Sequence, residues 1–335
     1  MKETSMKVMH LIGSSESSLL FDLSVEYFDA QTKLPNVDSC ILLIKPGGVM
    51  SFQPSPIEEY IDIDLGVLND ICRGIDIVIP YMFCKSGMTT YRGLFEDVFR
   101  IPIVGSSLAT TSLATNKWYT RCIAQQSGVR VPEGVLISDP GEVSFTGPVI
   151  VKPVQEDNSL GVSLVTEESA LTHAVAKAGK YGTQILIEEF IKGQEARVGL
   201  VEINDSLRVL PMIHYQMSKD HPIRTADDKV SFDPDGKGRN VYGSVSYTCP
   251  AHFPTAIQKQ LEESAVKMHR ALGCKDFSLF DFRIQEGTNQ VFLLEACLFW
   301  TFSPVSIISE MLIADGADLT SIYHQIWLQA SQRII

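Results

Sequence analysis

The chain has 335 residues, 45% hydrophobic and 20% charged, and a formal net charge of −12. That length exceeds one ordinary core and points to two or three domains. The acidic balance argues against a nucleic-acid surface or a basic membrane patch, and no apolar run reaches the ~18 residues of a membrane span. Seven widely scattered cysteines include no C-x-x-C pair, so zinc and dithiol chemistry are poorly supported and free thiols in a reducing compartment are expected. The start, "MKETSMKVMHLIGSS", lacks the long apolar core of a signal peptide. The expectation is an acidic cytoplasmic protein that acts on small molecules, without nucleic-acid or membrane partners.

In chain order, "MKVMHLIG", "SCILLIKPGG", "GIDIVIPYMF" and "IPIVGSS" are short apolar runs closed by Gly, Pro or Ser, which read as buried parallel strands. "LLFDLSVEYFDAQTK" and "TTYRGLFEDVFR" have helical spacing. Together they predict an open α/β domain over residues 1–110, and "LIGSSESS" after the first strand lacks a dinucleotide fingerprint. "TTSLATNKWYTRCIAQQSG" reads as one helix stopped at Gly128. The strands "EGVLI", "GPVIVKP", "GVSLV" and "QILIEEF", with the helix "EESALTHAVAKAGK", form a small α+β unit over residues 111–190. Residues 191–335 form a third, α+β unit. It opens on a hairpin turning at Asn204-Asp205 and includes "MSKDHPIRTADDKVSFDPDGKGRN", long and polar enough to serve as a mobile lid.

The chemistry concentrates in "FSLFDFRIQEGTNQVFLLEA", two apolar strands around a turn. With the turn centred near position 288, Asp281 and Glu295 stand opposite one another, their Cβ atoms ~5 Å apart. Two facing carboxylates on an apolar sheet repel unless a cation lies between them, and hard oxygen ligands suit Mg²⁺ or Mn²⁺. A register slipped by one residue would instead turn one acid to water.

Three further stretches carry possible nucleotide chemistry. Lys152 in "VIVKPVQEDNSLGVSLV" precedes a polar loop able to hold phosphates, though in isolation it reads first as a strand-end surface lysine. Glu188, Glu189 and Glu195 flank an apolar Phe190–Ile191 step, suited to an adenine and a ribose or else a solvated strand end. Lys117 begins a helix, where a cation opposes the dipole and can serve an anion, or is an ordinary exposed lysine.

In this order and spacing these stretches resemble the ATP-grasp superfamily and, within it, the D-alanine–D-alanine ligase branch. The resemblance covers nearly the whole chain and is strongest over residues 117–306. It implies an ATP-grasp fold, an ATP-dependent C–N ligase with Mg²⁺ or Mn²⁺ as cofactor, and small-molecule substrates, an amino acid and a carboxylated acceptor. It also admits a homodimer. Lys117 and Lys152 would contact ATP phosphates, and the loop with Ser159 would close over them. Glu188 would face adenine and the backbone of Glu189 and Ile191 would read its edge, with Phe190 and Leu294 also at the nucleotide. Glu195 would bind the ribose, and Asp281 and Glu295 would carry the metal. Glu16 in "GSSESS" would hold a substrate ammonium, and Ser306 falls where the second substrate's carboxylate binds.

Three departures stand out. "MFCKSGMTTYRG" replaces the family's H-G-x-x-G-E-D-G stretch, Leu279 replaces an oxyanion-steadying arginine, and Cys297 replaces an asparagine metal ligand. Arg283 shares its strand face with Leu279 and Asp281, which makes it the candidate to take over the lost anion-stabilising duty; an Arg–Asp sheet pair is the alternative. With "KDHPIRTADDKV" and "FSPVSIIS", these features resemble the branch that makes mycosporine-like amino acids. There a ligase condenses mycosporine-glycine with serine, threonine or glycine. Arg224 and Lys229 in the lid are candidates to meet substrate carboxylates, or form a solvated lid face. A dipeptide ligase for D-alanine or L-amino acids is the main competitor. A non-catalytic nucleotide-binding protein is the other, though it would have no need to keep facing carboxylates.

Overall fold

The first apolar run folds as β1 (Met6–Gly13), whose last six residues are all buried. It lies between β2 (Val37–Ile44) and β5 (Ile77–Pro80), parallel to both, as expected for a strand covered on two faces. In this computed structural model, residues 5–138, 145–218, 220–232, 238–240 and 245–333 are described.

The far half of this sheet departs from the all-parallel expectation. β3 (Met50–Gln53) and β4 (Ile61–Ile63) add antiparallel, giving the order β4-β3-β2-β1-β5. Tight connections after β2 leave no room for a crossover helix, so the chain returns alongside itself. "IPIVGSS" contributes only a single bridge, Val78 to Ile103. α1 (Ser18–Asp29) starts where the Ser17 side chain accepts from the Leu20 N–H, and α2 (Leu65–Cys72) where Asp64 caps Val67. The segment expected to be a helix at "TTYRGLFEDVFR" is wound wider than an α-helix over Gly87–Tyr91 and Leu94–Phe99. Arg92 is buried there, donating to the Val104 carbonyl at 2.9 Å. β1 ends at Gly13 with φ +95°, where an added Cβ would lie 2.1 Å from the Ile44 oxygen. Only glycine permits this turn into the loop that carries Glu16.

The helix expected over "TTSLATNKWYTRCIAQQ" is two: α3 (Leu108–Ala114) and α4 (Lys117–Gln126). Asn116 breaks it, because its side chain accepts from Tyr119 N–H and restarts the winding. A four-stranded sheet follows, built from β6 (Gly134–Ile137), β7 (Val149–Pro153), β8 (Ser163–Val165) and β9 (Ile185–Glu189) in the order β6-β9-β7-β8. α5 (Leu171–Gly179) packs on it through Leu171, Ala174, Val175 and Ala178.

The largest sheet runs β15-β12-β10-β16-β17, with β11 paired to β10. β10 (Gly193–Ile203) and β11 (Ser206–Val209) form the expected hairpin, with Asn204 and Asp205 at φ 52° and 61°. β12 (Ile213–Tyr215) precedes a small pair, β13 (Val230–Phe232) and β14 (Gly238–Asn240), and then β15 (Tyr247–Thr248). The lid segment thus lies partly outside the described residues. α6 (Thr255–Leu272) ends at Gly273 with φ 70° and leads into β16 (Phe277–Gln285) and β17 (Val291–Cys297). α7 (Ile307–Ala314) and α8 (Leu319–Ser331) close the chain. Among the described residues no helix is long and apolar enough to cross a membrane.

One apolar cluster joins the first sheet to the third, running from Val8, Tyr27 and Ile79 to Phe277, Trp300 and Trp327. His10 sits inside it, its ring 5.3 Å from Phe28 and 6.0 Å from Trp327, bonded only to Ser39 at 3.2 Å. Burial lowers its pKa from 6.5 to about 3, and burial likewise lowers His269 to about 4. The unfolded chain therefore takes up these protons first as pH falls. The stability they contribute is complete above about pH 6.5 and is lost progressively toward pH 3 to 4. Urea unfolding between pH 6.5 and 4.5 should show a loss to which His10 contributes about 1.4 kcal/mol per pH unit, with a flatter slope in His10→Gln. An unchanged slope would assign the acid sensitivity elsewhere.

Candidate functional site

The hairpin of β16 and β17 places the two acids. Near its turn Ile284 opposes Val291, Arg283 opposes Phe292 and Phe282 opposes Leu293. The pairing then skips Leu294 and resumes with Asp281 opposite Glu295, Phe280 opposite Ala296 and Leu279 opposite Cys297. The expected facing pair is therefore present, but it depends on a one-residue bulge that the sequence pattern did not show. Without the bulge Leu294 would oppose Asp281.

On its other edge β16 pairs with β10, which sets Arg197 opposite Asp281 and Glu195 opposite Arg283. One row across three strands therefore reads Arg197, Asp281, Glu295. The Arg197 guanidinium grips Asp281 with two donors, Nε to Oδ1 and Nη2 to Oδ2, the latter at 2.6 Å. Arg224 adds Nη2 to Asp281 Oδ2 at 3.1 Å and Nε to Glu195 Oε1 at 2.5 Å, while its guanidinium lies 3.9 Å over the Tyr215 ring. Glu295 is 3.4 Å from the Lys117 ammonium. Burial alone would raise the Asp281 pKa, but the charges of Arg197 and Arg224 outweigh it and hold the group below its usual range. For Glu295 the opposing charges are Lys117, Lys229, Lys152 and Arg197, and they depress it strongly. Both acids are thus held as carboxylates.

These residues wall two adjoining cavities. The smaller, about 90 Å³, is lined by Lys117, Lys152, Ser159, Glu188, Glu189, Phe190, Ile191, Glu195 and Leu294, every residue expected at a nucleotide. Asp281, Arg283, Glu295, Arg224 and Lys229 line it as well. Lys152 is buried rather than at the surface and bonds Glu188 at 2.5 Å. Lys117 is tied to the loop after β7, its N–H donating to Val154 O at 3.0 Å and its ammonium to Glu156 O. In that loop Asn158, Ser159 and Gly161 have φ of 52°, 58° and 74°. The Glu189 side chain is exposed and its N–H donates to Glu133 O at 2.7 Å.

The larger cavity, about 250 Å³, contains Glu16 and Ser306 together with Arg197, Lys85, Leu279 and Cys297. Glu16 Oε1 accepts from Ser86 N–H at 2.6 Å, so "MFCKSGMTTYRG" reaches the same site. The Ser306 hydroxyl donates to Ser303 O at 2.8 Å and accepts from the Trp300 indole at 2.9 Å. Tyr27, Phe83 and Phe299 form a mutual aromatic trio on its wall, centroids 5.3 to 5.6 Å apart. Lys117, Glu156, Leu160, Arg224, Lys229 and Glu295 border both cavities.

Two of the expected residues stand in a setting that residue order did not show. Arg283 does not stand with the substrate-side residues. It lines the smaller cavity, donating to Gly193 O at 2.9 Å and to Pro222 O, 3.8 Å from Glu195 and 5.3 Å from the Phe190 ring centroid. The bulge and the pairing with β10 turn that row toward Glu195. Arg224 is buried rather than solvated, held by Glu195 and Asp281 through two of its donors at the border of the two cavities. Arg197 is the functional candidate missed. Its position two residues after Glu195 on a strand shows that the two share a face, but not which strand lies beside them.

The donor set fits one divalent cation. Asp281 and Glu295 are hard, ionised and opposed, although Arg197, Arg224 and Lys117 share their oxygens. Cys297 gives no support to a second ion, since burial pushes its thiol up to about 12 and leaves it protonated. Among the described residues no cluster of three His, Cys, Asp or Glu side chains surrounds a metal position.

Two adjoining cavities meet across a carboxylate pair on an arrangement of sheets that is the ATP-grasp fold, and the chain is an ATP-dependent ligase forming a C–N bond. The chain belongs to the family described as D-ala D-ala ligase C-terminus, matched over residues 137–327, more than half its length. It is 27% identical over 283 residues to a D-alanine–D-alanine ligase of Geotalea uraniireducens, covering 82% of this chain and 85% of that protein. Another from Rickettsia bellii is 25% identical over 330 residues, covering 96% and 97%. The fold matches the VanG D-Ala:D-Ser ligase of Enterococcus faecalis with a TM-score of 0.73 at 19% identity, covering 98% and 99%. The ATP complex of the Bacillus anthracis D-alanine–D-alanine ligase gives 0.71 at 16%, covering 98% of each chain. None of these relatives bears a mycosporine-related name.

Lys152 and Glu188 form a buried ion pair, in which removing one partner strands the other charge. Lys152→Met should lower the unfolding free energy by about 3–5 kcal/mol, and the Lys152→Met/Glu188→Leu double variant should recover most of it. Chemical denaturation measures both. A double variant no more stable than the single would dismiss the pair.

Proposed function

We propose that this protein is a ligase of the D-alanine–D-alanine type, using ATP to join two amino-acid-like substrates. The observation that carries this reading is that Lys117 and Glu295 border both cavities, so a phosphate at the end of a nucleotide in one would meet an acceptor in the other. On this reading residues 1–110 and 191–335 supply the substrate side, while residues 111–190 supply the strands over the nucleotide.

The reaction follows from that layout. An acceptor oxygen bonds to the γ-phosphorus of ATP, the bond to the β,γ-bridging oxygen breaks, and ADP departs with the electron pair. The amine of the second substrate then attacks the carbon bearing phosphate, inorganic phosphate leaves, and the nitrogen gives up a proton. Little covalent chemistry falls to the protein, whose task is positioning and charge neutralisation. Lys117 and Lys152 supply positive charge to the phosphates, and the loop with Ser159 covers them. Glu195 lies where a ribose would, and Glu188 and the Phe190–Ile191 step lie toward a base. Glu16 offers a carboxylate to a substrate ammonium and Ser306 a hydroxyl to a carboxylate. Asp281 and Glu295 would hold Mg²⁺ or Mn²⁺, which neutralises phosphate charge when bound.

A second reading is favoured by the larger cavity itself. The Tyr27–Phe83–Phe299 trio and the apolar Leu279 suit a planar ring better than a methyl side chain. The acceptor would then be a cyclohexenone such as mycosporine-glycine, joined to serine, threonine or glycine.

ADP release with Mg²⁺ decides among them. Turnover is expected with D-alanine, or with L-amino-acid pairs in the dipeptide variant. Turnover confined to mycosporine-glycine plus serine or threonine would replace the dipeptide reading by the cyclic one. ATP binding without turnover on any of them would leave a nucleotide-binding protein.

A further inference from the structure

Arg197 neutralises Asp281, but that does not account for where it stands. Its side chain lines the larger cavity and not the smaller, whereas Asp281 lines the smaller and not the larger. The guanidinium therefore crosses the wall between them and holds Asp281 from the acceptor side. Nε and Nη2 are taken by the two carboxylate oxygens, and among the described residues Nη1 has no hydrogen-bond partner. The side chain keeps 13% of its surface accessible, so a ligand can reach it. A planar fork fixed through two donors holds the remaining one at a set angle.

Lys117, Arg224 and Lys229 border both cavities as well, so Arg197 acts beside them; the two β16 positions that flank Asp281 on its face do not reach this point. Leu279 has no donor, and Arg283 is turned to Glu195 and the Gly193 carbonyl. Glu295, next in the row, borders both cavities. A phosphoryl group passing from nucleotide to acceptor has to cross here.

We propose that Arg197 is a catalytic residue that binds the phosphoryl group in transit, its Nη1 donating to an equatorial oxygen. The assignment rests on the ATP-dependent reading above but not on which acceptor is used. In this step the acceptor oxygen bonds to the γ-phosphorus and the bond to the β,γ-bridging oxygen breaks, its electron pair leaving on ADP. Arg197 stays protonated throughout, stabilising charge spread over the three equatorial oxygens. A guanidinium already anchored by Asp281 needs no reorganisation as that charge develops.

The test needs no acceptor. ADP affinity is measured with Mg²⁺, with and without aluminium fluoride as a stand-in for the phosphoryl group, for the wild type, Arg197→Lys and Arg197→Gln, alongside their melting temperatures. Fluoride should tighten ADP binding at least about tenfold in the wild type and less than about threefold in Arg197→Gln, with Arg197→Lys between them. Each variant's affinity for ADP without fluoride is its own reference, because Arg197 also holds Asp281 and its loss can weaken both states alike. Equal tightening in Arg197→Gln would overturn the proposal. Loss of ADP and ADP–fluoride binding in equal proportion in both variants would reduce Arg197 to a structural partner of Asp281 and overturn it as well. A wild type that binds ADP with no tightening by fluoride would defeat this assignment alone. A wild type that binds no ADP would defeat the ATP reading and this with it.

Discussion

The site depends on two carboxylates, Asp281 and Glu295, held ionised side by side on a sheet whose opposite face is packed into the apolar core. Their neighbours on β16 include Phe280 and Phe282, both fully buried. Unpaired, such a pair would repel and take up protons. The surrounding elements supply the opposing charge from several directions: Arg197 from β10, Lys117 from the start of α4, Lys152 from β7, and Arg224 and Lys229 from the lid segment. No single sheet could deliver all of them. The meeting of the second and third sheets at one wall is what makes the carboxylates tolerable.

The same constraint orders charge along the strands. Side chains opposite one another across a ladder share a face, so Arg197, Asp281 and Glu295 form one row and Glu195 with Arg283 the next. Each row alternates in sign at the β10–β16 step. The following row, Gly199, Leu279 and Cys297, carries no charge and leads into the larger cavity. Both cavities carry charge along their shared border, and the larger one adds an aromatic wall of Tyr27, Phe83 and Phe299.

The departures at Leu279 and Cys297 take on a shared meaning in this geometry, because they oppose each other in register. An arginine there would sit beside a thiol and within the same few ångströms as Arg197. With the Arg197 fork already on Asp281, a second guanidinium one row away would add like charge to a buried place. Leu279 and Cys297 read better as one coupled change than as two independent losses.

Much of this was legible from residue order alone. The period of the apolar runs, the turn at Asn204-Asp205 and the facing acids could be read in this way, whereas the break at Asn116 could not, because helical spacing runs straight through it. The set of residues around the smaller cavity could be read as well, because its motifs are local in sequence. What tertiary structure decided was adjacency between distant strands. The antiparallel half of the first sheet, the bulge at Leu294, the turning of Arg283 toward Glu195 and the placing of Arg197 against Asp281 depend on which strand lies beside which. Strand periodicity says that Arg197 shares a face with Glu195. It contains no information on what lies across the ladder, since that is set by packing among segments 84 residues apart.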